Sequence, residues 1–128
     1  MKNNPGTKIT TLGNFKLFLN KLSEDEGNTI LSAAEIDSAG VTVKNTRWSR
    51  IDINTPKIRP EFSLYLQENY NLTDITIKNP DAFKSAKIQI YDCPNISKKS
   101  LKVLNYLYSV SKYFHRGSVI PLYNGSRL

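Results

Sequence analysis

The chain has 128 residues, a mass of 14.5 kDa, 39% hydrophobic and 23% charged residues, and a formal net charge of +7. That is enough apolar material for one core and one domain. A single Cys and a single His exclude an internal disulfide framework, a multi-thiolate zinc site and a cluster of histidines.

Residues 1–7 carry no periodicity and are expected to be a disordered end, with 8–128 forming a single α+β domain. Met1-Lys2-Asn3-Asn4-Pro5-Gly6 has no apolar run behind it, so no secretory signal is expected. No window approaches 18 apolar residues, which gives no membrane span. With a lone thiol, the expected compartment is cytoplasmic.

Phe15, Phe18, Leu19 and Leu22 fall on one helical stripe, with Asn14 as N-cap. Ser23-Glu24-Asp25-Glu26 reads as a capping box opening a second helix. It would bury Ile30, Leu31 and Ala34 and stop at Gly40. Val41 and Val43 alternate as a strand, and 50–54 alternates more clearly. Pro60 suits the first turn of a helix facing inward through Phe62, Tyr65 and Leu66. Strands are expected at 73–78 and 87–92, separated by one helical turn at 79–83. Ser97 caps the longest helix, Lys98 to His115, with Leu101, Leu104, Leu107, Tyr108, Val110 and Phe114 as its apolar face and Gly117 as its stop. Residues 118–123 read as an edge strand because of Pro121. Alternating strands and helices predict a mixed or parallel sheet of about four to five strands with helices packed on it.

Residues 88–104, from Ile88-Gln89-Ile90-Tyr91-Asp92-Cys93 through Ser97 to Leu101 and Leu104, resemble one unit of a cysteine-containing leucine-rich repeat. Lys98 stands where that pattern usually has Asp. The resemblance implies a strand, a Cys under a turn, a Ser cap and a helix, stacked on similar units of roughly 26 residues. The neighbouring predicted strands do not keep that spacing.

Catalytic constellations are absent. His115 at a helix end has no acid beside it and reads as satisfying terminal carbonyls. Cys93, after a buried strand, reads as a small core residue. The carboxylates do not form the strand-Asp and acid-x-Lys arrangement of a metal nuclease, and every Gly stands alone, so no phosphate loop exists. A non-enzymatic protein without cofactor or metal is expected.

Charge is uneven. Residues 1–40 carry net −1, 41–60 net +4, 61–83 net −3 and 84–128 net +7. The 13 Lys against 5 Arg, with 13 Asn and 12 Ile, also match AT-rich coding, as in many phage and mobile-element proteins. The blocks 44–59 and 84–116 nominate a nucleic-acid interface, DNA or RNA. Its candidate residues are Lys44, Arg47, Arg50, Lys57, Arg59, Lys98, Lys99, Lys102, Lys112 and Arg116 for phosphates, with Trp48 to stack on a base. Residues 30–46 also resemble a helix-turn-helix, although Thr46 stands where that motif is apolar. The alternative is a small protein-interaction module, an inhibitor or adaptor, using the Tyr-rich C-terminal half with Tyr106, Tyr113 and Tyr123. A nucleic-acid binder requires one positive face joining the two blocks. A protein binder requires an exposed aromatic patch with cations at its rim.

Overall fold

Strands that are neighbours in the largest sheet of this chain follow one another at intervals of 23 to 26 residues, from Lys16 to Gly40, Ser63, Lys87 and Tyr113. In a computed structural model, residues 8–10 and 15–116 are described, with side chains for 15–115. The elements are β1 (Lys8–Thr10), β2 (Lys16–Phe18), α1 (Glu24–Leu31), β3 (Glu35–Asp37), β4 (Gly40–Lys44), β5 (Arg50–Ile53), β6 (Ser63–Gln67), β7 (Asp74–Ile77), a 3-10 turn (Pro80–Phe83), β8 (Lys87–Tyr91), α2 (Lys98–Val110) and β9 (Tyr113–Arg116). A five-stranded sheet runs β2-β4-β6-β8-β9, and all of its pairings are parallel. Its register sets Lys16 beside Gly40, Gly40 beside Ser63, Ser63 beside Lys87 and Lys87 beside Tyr113.

Parallel neighbours need a crossover, and here the crossover is the rest of each coil. One return path carries α1, then the parallel pair β5-β7, then α2, while β1 and β3 pair on a further side. The molecule is therefore a short solenoid, an α+β domain with two helices packed on its sheets. Inside lie Val41 and Val43, Leu64 and Leu66, Ile88 and Ile90 from the long sheet, facing Ile51, Ile53 and Ile75 from the short one. Strict alternation in these strands is what directs one set inward and the other to the surface.

Two of the helices read from the sequence are strands. Phe15, Phe18, Leu19 and Leu22 do not form a helix: β2 occupies 16–18, Phe15 and Phe18 are exposed, and only Leu19 and Leu22 turn toward the core. Asn14, its expected cap, lies outside the described residues. Likewise Pro60 does not start a helix, because Phe62 and the alternating Leu64 and Leu66 enter the core through β6. With 63–67 as a strand, the strands do keep a near-constant spacing on both sides of the 88–104 unit, which has the strand, cysteine corner, serine cap and helix its resemblance implies.

The capping box forms as expected, with Ser23 Oγ accepting from Glu26 N and Glu26 accepting from Ser23 N. The helix stops at Leu31 and does not reach Gly40. Gly40 instead opens β4, where a Cβ would meet the Ser63 carbonyl oxygen at 2.4 Å. With β4 following, no helix-turn-helix exists in this segment. The long helix ends at Val110, and 113–116 returns to the sheet as β9. A helix continued through Phe114 would have left β8 without that neighbour. The expected disordered end at 1–7, the stop at Gly117 and the strand at 118–123 lie outside the described residues.

The same corner recurs in each coil. Asn45, Glu68 and Asp92 follow β4, β6 and β8 with φ of 56°, 59° and 53°. Beneath it, the fully buried Asn69 donates to the Val43 carbonyl at 2.9 Å and accepts from Thr46 N and Oγ1. Cys93 takes the equivalent place one coil on, within 3.9 Å of the Asn69 amide.

Candidate functional site

Because the inner residues of the long sheet fill the core, its alternate residues face outward. These are Lys16 and Phe18 on β2, Gly40, Thr42 and Lys44 on β4, Ser63, Tyr65 and Gln67 on β6, Lys87, Gln89 and Tyr91 on β8, and Tyr113 and His115 on β9. Gly40, Thr42 and Ser63 are small and buried. Around them the face is aromatic and polar. Phe18 is 65% exposed. The Tyr65 and Tyr91 rings lie 5.7 Å apart, Tyr91 and His115 5.2 Å, and Tyr113 stacks on His115 at 6.2 Å.

Hydrogen bonds tie these groups into one surface. Tyr65 donates its hydroxyl proton to Gln67 Oε1. Burial, and then the neighbouring Tyr91, Glu68 and Asp92, push the Tyr65 phenol above its ordinary value, so it stays neutral. Gln89 Nε2 donates to Tyr91 Oη at 3.3 Å, and Tyr91 Oη lies 2.7 Å from His115 Nδ1. The direction of the Tyr91–His115 bond follows the imidazole tautomer, because the phenol can donate to Nδ1 or accept from it. His115 thus belongs to a strand and a tyrosine, not to a helix terminus.

The cations nominated from sequence are spread over several sides of the coil. Lys44 is on the outer sheet face and Arg47 is exposed in the corner loop after it. Arg50 opens β5 and is held by Asp52 and Glu24. Lys57 lies 3.9 Å from Glu35 and Arg59 3.6 Å from Asp37. Lys98, Lys99 and Lys102 are exposed on α2. Lys112 donates to Glu61 at 2.7 Å, a carboxyl that it and Lys87 hold below the usual range. Arg116 is on β9, and its side chain lies outside the described residues. The path from β5 to α2 crosses β7, part of the net-negative 61–83 stretch.

Trp48 is not a surface ring. It is 3% exposed, its indole Nε1 donates to the Leu22 carbonyl at 3.0 Å, and it packs over Gly27 of α1. Cys93 is fully buried, and burial pushes its thiol above the ordinary value, as suits a core residue. Among the described residues, no three metal-ligating side chains converge and no helix is long and apolar enough to cross a membrane.

Of the aromatics nominated for a protein interface, Tyr113 is on the outer face. Tyr106 is exposed on α2, bonded to Asp81 at 2.6 Å, and Tyr123 lies outside the described residues. Sequence reasoning missed Phe18, Tyr65, Gln67, Gln89 and Tyr91. Their signal was the offset pairs Tyr65 with Gln89 and Gln67 with Tyr91, each 24 residues apart and visible only once the coil period is known. Compared with protein-family models, curated proteins and solved structures, the chain gives no match.

Proposed function

We propose that this chain is a non-enzymatic protein-interaction module whose binding surface is the outer face of the five-stranded sheet. The supporting observation is the linked row of Tyr65, Tyr91, His115 and Tyr113, with Phe18 beside it and Lys16 and Lys44 at the strand ends. Aromatic side chains give large contact area at small conformational cost, and cations at a rim add steering without the cost of burying charge. The basic blocks support a phosphate surface less well, because Arg50, Lys57, Arg59 and Lys112 already face carboxylates.

A photo-crosslinking amino acid placed at Tyr65 or Tyr113, and for comparison at Lys99, tests the assignment in source cells. The face positions should give protein adducts that survive nuclease, and Lys99 should give few. Adducts confined to Lys99, or adducts that disappear with nuclease, would return the phosphate-binding reading to first place.

A further inference from the structure

We infer that the occupant of this face is a short extended peptide segment rich in Asp and Glu; the inference rests on the face being the binding surface. Three observations carry it.

The first is the hydrogen-bond balance. Internal bonds join the polar groups of the face: Gln67 Oε1 takes the Tyr65 proton, Tyr91 Oη receives Gln89, and Tyr91 Oη and His115 Nδ1 share one bond. To these the exposed ammonium groups of Lys16 and Lys44 add donors that cannot accept. A partner that answers those ammonium groups supplies acceptors, and carboxylates are the strongest that a peptide has.

The second is charge. None of the outward residues on the five strands is a carboxylate. The nearest acids are at the strand ends: Glu61, already held by Lys112 and Lys87, and the corner residues Glu68 and Asp92. Lys16 and Lys44 have no ion-pair partner among the described residues, and both lie at the β2-β4 end of the sheet. The tyrosines lie at the other end. An occupant that spans both ends meets unneutralised cations on one side and rings on the other.

The third is size. Five strands at about 4.8 Å spacing span about 19 Å, and a five-residue strand is about 17 Å long. A face of this extent is well under the roughly 800 Å² that each partner buries in a standard interface. It matches about six extended residues, at about 3.3 Å each, lying across the strands.

The test is selection of a random dodecapeptide display library on the full chain, followed by affinity measurement on three proteins: wild type, Tyr91→Ala, and Lys16→Glu with Lys44→Glu. Both sets of substitutions are on the outer face, and matching thermal midpoints will show that the variants fold. Peptides that need Tyr91 should carry at least twice the Asp and Glu content of the unselected library. Their affinity should fall at least fivefold in the Lys16→Glu, Lys44→Glu protein and weaken as salt rises. Tyr91-dependent peptides with no acidic enrichment and no response to charge reversal would overturn the acidic partner and leave the face standing as a binding surface. A library that yields no Tyr91-dependent peptide would overturn both. A 20-mer oligo-dT that binds more tightly than any selected peptide, and is lost on charge reversal, would replace the peptide with a nucleic acid.

Discussion

Glu24 serves two masters. It is in the acidic first turn of α1, where the helix dipole favours it, and its Oε1 also accepts from Ser49 N at 2.6 Å and from Arg50 N. The Ser49 amide is the largest reason that its carboxyl is held below the ordinary value of 4.5. A lowered carboxylate pKa stabilises the fold above the ordinary value, and that stability is lost as pH falls through the lowered one. Glu24→Gln should therefore cost about 1–2 kcal/mol at neutral pH, with the gap to wild type closing as pH falls below the ordinary carboxylate value in thermal melts taken across pH. Gly27 is constrained by contact: an added Cβ would sit 1.9 Å from the Trp48 ring. Gly27→Ala should destabilise by about 1–3 kcal/mol and shift the fluorescence of the only Trp, because ring or helix must move. Cys93 should resist a thiol reagent in the native protein and react on unfolding; fast native labelling would contradict its burial.

At the scale of elements, the pair β5-β7 is finished by two helices that imitate strands. Asn28 of α1 donates from Nδ2 to the Arg50 carbonyl at 3.1 Å and accepts on Oδ1 from Asp52 N at 2.8 Å. At the other edge, Ser100 Oγ of α2 accepts from Ile75 N at 2.8 Å. Both side chains are buried, so each supplies partners that water does not. Asn28→Ala should cost about 2–4 kcal/mol by orphaning an amide and a carbonyl, read as a lower denaturation midpoint. Leu104, 2% exposed on the inner side of α2, should cost about 2–5 kcal/mol when cut to Ala, since a cavity would open beneath the helix. The α2 core positions Leu101, Leu104 and Leu107 and the Ser97 cap were legible in the sequence because helical period and capping chemistry agree there. The strands β7 and β8 were legible because isoleucines alternate in them. β6 was not: Ser-Leu-Tyr-Leu-Gln after a Pro satisfies a helical stripe as well as an alternating one, and only its pairing with β4 and β8 decides. Asn28 and Ser100 carry no local signal at all, since what they bond to is 22 to 25 residues away.

At the scale of the whole molecule, every described strand pairing joins segments in parallel, and interior coils have neighbours on both sides. Stability in such a stack is a sum of coil and nearest-neighbour terms. Amide hydrogen exchange should accordingly be slowest in β4, β6 and β8 and faster in β2, with a protection gradient in place of a single global value. The outer face escaped the sequence reading for the same reason that the stack did: Tyr65, Tyr91 and His115 are remote in sequence and become neighbours only through the coil period. The cations were legible as residues but not as a surface, because folding sends Arg50, Lys57 and Arg59 to separate carboxylates. Repeating coils also carry a hazard, because any naked edge is a template on which another molecule can grow, and head-to-tail addition ends in fibres. On the β5-β7 side α1 and α2 cover the edges, and their Asn28 Oδ1 and Ser100 Oγ take bonds an incoming strand would use. A variant lacking both side chains is expected to gain a propensity to polymerise, read as light scattering that rises below its thermal midpoint.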